Sequence, residues 1–120
     1  MTTAPSVLDI SPRQALELLR TGFGLSDDDL AGALGTTVRT LKRWKAGSTY
    51  PQQAARQMLA RLLHLQEEVQ QAFEGDDAAQ RWAHGGSRYL GGITPAEAIR
   101  AGRIDRAEAA LGAFFAGIYL

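Results

Sequence analysis

Between Ser26 and Gly47 the chain packs two helix starts and two helix stops into a very short stretch. Ser26 is a good N-cap, and Asp27, Asp28 and Asp29 follow it in the first turn, where the positive end of the helix dipole favours acids. Leu30, Ala31 and Leu34 supply an apolar face, and Gly35 ends the helix. Thr37 caps the next one, which runs to about Ala46 and stops at Gly47. Only Gly35 and Thr36 separate the two. Short helices joined by a tight turn containing Gly form the helix-turn-helix pattern. Ala31 is small where the helices would cross, and Gly35 can take the left-handed conformation that the turn needs. Leu30, Leu34, Leu41 and Trp44 are placed to close a small core.

The flanking segments extend this into an all-α chain. Ser11-Pro12-Arg13-Gln14 carries an N-cap, a Pro at N1 and the Gln of a capping box, so a first helix starts there and Gly22 is expected to stop it. Pro51 suits N1 of a long fourth helix. Its apolar positions Ala54, Ala55, Met58, Leu59, Leu62, Leu63, Val69 and Phe73 recur at three and four. Gly75-Asp76-Asp77 breaks that pattern and sets the expected boundary: residues 1–74 as the helix-turn-helix lobe and 75–120 as a second small helical lobe. In the second lobe a short helix from Asp77 to His84 is anchored by Trp82. Gly85-Gly86-Ser87 and Gly91-Gly92 bracket a loop. Thr94-Pro95-Ala96-Glu97 opens a helix that ends near Gly102, and a last helix runs from about Asp105 to Ala116. No stretch alternates apolar and polar residues as a strand would.

The formal net charge is zero, but its distribution is not even. Residues 30–66 carry Arg39, Lys42, Arg43, Lys45, Arg56 and Arg61 with no acid, while the segments before and after each carry a net −3. A neutral protein with one basic segment can bind a polyanion through it. At about 100° per residue, Arg39, Lys42 and Arg43 fall on one side of the third helix, with Leu41 and Trp44 on the other. Such a helix packs with one side and offers cations to a groove with the other. Thr37, Arg39, Thr40, Lys42, Arg43 and Lys45 are therefore the candidate DNA-binding residues. Arginine suits a bidentate contact to guanine, and the capped helix start suits a phosphate.

Enzyme chemistry finds no foothold. The absence of Cys removes disulfides, thiolate nucleophiles and Cys-based zinc sites. His64 with Glu67 or Glu68 gives two helical ligands without a third, no Ser sits in a nucleophile elbow, and the Gly-rich loop lacks the Lys-Ser/Thr of a phosphate loop. No catalytic residue, metal or cofactor is expected. The start of the sequence lacks the pattern of a signal peptide, and the apolar run from Ala109 to Leu120 is too short to span a bilayer. The expected compartment is the cytoplasm, with no membrane partner.

That apolar run has neither a charged nor a polar side, so it calls for burial on more than one face and argues for a protein partner, a second copy of the chain, or both. At this point two resemblances meet. Leu25 to Pro51 resembles the Xre-type helix-turn-helix. Trp82 to Tyr119 resembles the C-terminal toxin-binding domain of the Xre/MbcA/ParS antitoxins, through Trp82, Leu90-Gly91-Gly92, Thr94-Pro95-Ala96-Glu97, Gly102, Leu111 and Gly117-Ile118-Tyr119. The resemblance implies an antitoxin that binds a RES-domain toxin, an NAD-consuming protein similar to ADP-ribosyltransferases, and that helps repress its own operon; a homodimer is expected because a single helix-turn-helix gains affinity by binding two half-sites. It places toxin binding at Arg88, Tyr89, Phe115, Gly117, Ile118, Tyr119 and Leu120. The alternative is a stand-alone helix-turn-helix regulator whose C-terminal lobe only dimerises.

Overall fold

The computed structural model describes residues 10–75 and 77–117. They form seven helices and no strand: α1 (Pro12–Phe23), α2 (Asp27–Leu34), α3 (Val38–Ala46), α4 (Gln53–Ala72), α5 (Ala78–His84), α6 (Pro95–Arg100) and α7 (Ile104–Phe115). Short-range polar signals set most of the starts. Ser11, Ser26 and Thr94 each form a full capping box, with Gln14, Asp29 and Glu97, and the Thr37 hydroxyl accepts from the Thr40 N–H. Gly35 closes α2 at φ 66°, which a residue with a Cβ adopts only under strain.

Two expectations are corrected. α1 does not stop at Gly22: it continues to Phe23 and is capped by Gly24 at φ 67°. Phe23 is fully buried and draws the last turn into the core. Gly22 serves packing, since a Cβ there would lie 2.1 Å from Nε2 of Gln66 on α4. α4 begins at Gln53, with Gln52 as its N-cap, so Pro51 precedes the helix. The Pro51 ring is buried in the link, and its carbonyl accepts from Arg56 Nη1 at 2.7 Å. Trp82 is half-buried, with its ring 6.0 Å from that of Phe23. It packs against the core beside the buried Ala78, Ala79 and Ala83 of α5.

α4 ends where the sequence breaks, yet the apolar core does not. One buried cluster joins Leu16, Leu19, Leu30, Leu41, Trp44, Leu59 and Leu62 to Ala83, Ile99, Ile104 and Leu111 from beyond Gly75. α2 and α6 cross with backbone close to backbone. A Cβ on Gly32 would sit 2.2 Å from the carbonyl oxygen of Arg100, and the Arg100 guanidinium lies 3.8 Å from Asp29. α7 rests on α6 and α4, with Arg61 paired to Glu108 across the latter contact. A small satellite of Leu90, Ala98 and Ala110, with Ile93 packed on it, pins the loop before α6.

Candidate functional site

Two surfaces of different chemistry stand on this shared core. The first is the outer side of α3. Leu41 and Trp44 face inward and are buried, while Arg39, Lys42 and Arg43 are exposed. Thr37 and Thr40 stand at the start of the helix, joined by the cap bond at 3.1 Å and by a hydroxyl–hydroxyl bond at 3.2 Å. Lys45 stands apart from this group. Its ammonium donates to Asp27 Oδ1 at 2.8 Å, and it binds α3 to the first turn of α2. The hydrogen bond from Lys45 holds the Asp27 carboxyl below its ordinary value against partial desolvation, with Arg20 and Lys42 adding to the pull.

The second surface lies where the loop after α5 meets the end of α7. The loop folds on itself: the Ser87 N–H donates to the Ile93 carbonyl at 2.9 Å, and the Gly92 N–H to the Ser87 carbonyl at 2.7 Å. Leu90 is buried beneath it, which leaves Arg88 and Tyr89 outside. They line a hollow of about 290 Å³ together with Arg81, Trp82, Ser87 and Phe114. The Phe114 ring leans on Phe73, the C-cap of α4, at 4.8 Å and on Phe115 at 6.1 Å. Phe115 is 59% exposed, with Gly117 exposed just past the helix. The structure thus brings Arg88, Tyr89 and the aromatic end of α7 to one side, whereas Ile118, Tyr119 and Leu120 lie outside the described residues.

No family model matches the chain. Over 98 residues it is 26% identical to the mycobacterial cidal antitoxin MbcA of Mycobacterium tuberculosis, and equally to that of Mycobacterium bovis, across 82% of this chain and 86% of the relative. The chain is thus similar to the MbcA antitoxins along most of its length. The fold agrees: a chain in the crystal structure of the M. tuberculosis MbcT–MbcA toxin–antitoxin complex superposes with a TM-score of 0.62 at 23% identity, over 90% of this chain and 96% of that one. No helix among the described residues is long and apolar enough to cross a membrane, and no group of three ligands there could hold a metal.

Sequence reasoning missed the polar contacts that fasten the two halves of the chain together. His84 Nε2 lies 3.0 Å from the Phe23 carbonyl and 3.1 Å from that of Gly24, and Gln80 Nε2 donates to the Thr21 carbonyl at 2.8 Å. These two α5 side chains satisfy carbonyls that the end of α1 would otherwise leave open. Their spacing of four residues on one helix was the available signal. His64, the other histidine, is exposed and lies 3.3 Å from Glu68.

Proposed function

We propose that the chain is an antitoxin that neutralises a RES-domain, NAD-consuming toxin with its C-terminal surface and represses its own operon through α3, as a homodimer in the cytoplasm. The observation that carries the reading is the aromatic end of α7. Phe115, beside Phe114, is left largely in water by a chain that buries Phe23 on α1 completely. Exposed aromatics grouped beside arginines suit a protein partner, since Phe, Tyr and Arg are enriched at interfaces. The relative's presence in a complex with MbcT supports the partner class. The one-sided cations of α3 support operator binding, and a reader of this kind gains affinity as a dimer on half-sites about 34–36 Å apart.

The test is co-expression with the product of the neighbouring gene. We expect growth arrest by that protein to be relieved by the full chain, native mass to show a joint complex, and sedimentation of the antitoxin to show a dimer. Deleting residues 118–120 should weaken neutralisation while leaving DNA binding and circular dichroism nearly unchanged. Unrelieved growth arrest alongside intact operator binding would instead favour the stand-alone regulator.

A further inference from the structure

The acid-free stretch does not end with α3. Past Gly47 the chain turns back toward α2 and enters α4, and between the α2–α3 turn and the start of α4 it leaves a groove of about 420 Å³. Its polar lining is Thr36, Thr40, Arg43, Thr49, Tyr50 and Gln52, and no acidic residue lines it. Arg43 belongs both to this groove and to the exposed cations of α3.

Tyr50 is the most exposed large hydrophobic side chain among the described residues, at 62%. It is nonetheless held. The Arg56 guanidinium sits over its ring, 5.5 Å from the centroid, and the same guanidinium donates to the neighbouring Pro51 carbonyl. A cation on one face of the ring and a fixed backbone below restrict where the hydroxyl can go. Tyrosine hydroxyls and arginines are among the side chains that hold nucleic-acid phosphates, and such contacts fix register without reading sequence.

We propose that this groove is a second nucleic-acid contact. It takes a backbone phosphate of the duplex whose base edges α3 reads, with Arg43 and the Tyr50 hydroxyl as ligands and Arg56 as the residue that positions Tyr50. The proposal rests on the DNA-binding reading above. It adds a sequence-independent contact on the flank of the reader helix. Charge complementarity selects the occupant, because a polyanion finds a cation and no competing acid along the groove.

The experiment measures full-chain binding to two labelled 24-bp duplexes across a range of salt, one selected by the protein from a random library and one unrelated. Tyr50→Ala should weaken both by about five- to tenfold, and Tyr50→Phe, which keeps the ring, by about threefold, with the preference between duplexes unchanged. Arg43→Gln should lower the slope of log affinity against log salt by about 1. Arg56→Gln should match Tyr50→Phe, and Arg56→Lys should recover most of the loss. Arg39→Ala is the control for α3, since it should reduce the preference itself. If Arg39→Ala does so while the Tyr50 and Arg56 variants bind as the parent, the groove proposal falls and the reading of α3 stands. If the parent binds neither duplex, both fall. A changed sedimentation coefficient in Tyr50→Ala with unchanged DNA affinity would assign the groove to a contact between copies and overturn the proposal.

Discussion

α3 and α7 are both amphipathic, and they leave opposite things uncovered. α3 buries Leu41 and Trp44 and presents Arg39, Lys42 and Arg43 to water. α7 buries Ile104, Ala107, Ala110, Leu111 and Ala113 and presents Phe115 and the edge of Phe114. Exposed cations are well solvated, so α3 is content as it stands. An exposed phenylalanine is not, because burying one yields roughly 1.5–3 kcal/mol. The two surfaces must therefore answer differently to conditions. Attraction of a polyanion to α3 is screened by salt, while association through the end of α7 is largely indifferent to it.

The largest expected effect tests whether the halves that carry these surfaces are separable at all. Ile99 is fully buried in α6 and belongs to the cluster that contains Trp44. Ile99→Ala should cost about 3 kcal/mol. In a Trp82→Phe background, the Trp44 fluorescence transition in urea should shift with it. A Trp44 transition that stays in place would show two independent lobes.

Next comes the aromatic end. Phe115→Ala should leave the urea midpoint within experimental scatter, because the ring is exposed, yet weaken toxin affinity by about 2 kcal/mol, in calorimetry at either 50 or 300 mM salt. A loss that vanishes at high salt would mean the contact is electrostatic after all. On α3 the pattern should reverse. Arg39→Ala should cost about 1–2 kcal/mol of operator affinity, and parent and variant should both weaken steeply as salt rises, as a gel-shift titration would report.

The smallest effect concerns the Lys45–Asp27 bond that seats α3. Asp27 is held below its ordinary value, so its contribution is complete above about pH 4 and is lost as pH falls through the lowered folded value. Asp27→Asn should therefore cost about 0.5–1 kcal/mol at neutral pH and nothing in strong acid, as measured by urea unfolding across pH. A cost that persists below pH 2 would assign the effect to packing instead of charge.

What the sequence disclosed, and what it hid, follows the range of the interactions. The starts at Ser11, Ser26, Thr37 and Thr94 were legible because a cap and its partner lie three residues apart. The role of Gly22 was not, because it is set by Gln66 on another helix. Pro51 does not start α4: its ring is buried in the link, and the helix begins two residues later. In the candidate site, Arg39, Lys42 and Arg43 followed from the helical wheel. The same wheel places Lys45 about 240° from Arg39 at about 100° per residue, beside Leu41 and toward the packed side. Its partner Asp27 was read only as a dipole acid. The grouping of Arg88 and Tyr89 with Phe114 came from the resemblance for the loop and from tertiary packing for the ring.

Gly32 bears on how such a chain can change over time. Its α-carbon faces the Arg100 carbonyl so closely that even a methyl group has no room, and backbone cannot step aside as a side chain would. Forcing one in would cost about 1–3 kcal/mol, in a fold this small. A recombination event that joined residues after Gly75 to a foreign helix-turn-helix would succeed only if the incoming α2 lacked a side chain at the matching turn. The two surfaces can diverge residue by residue, but the seam between them is inherited whole.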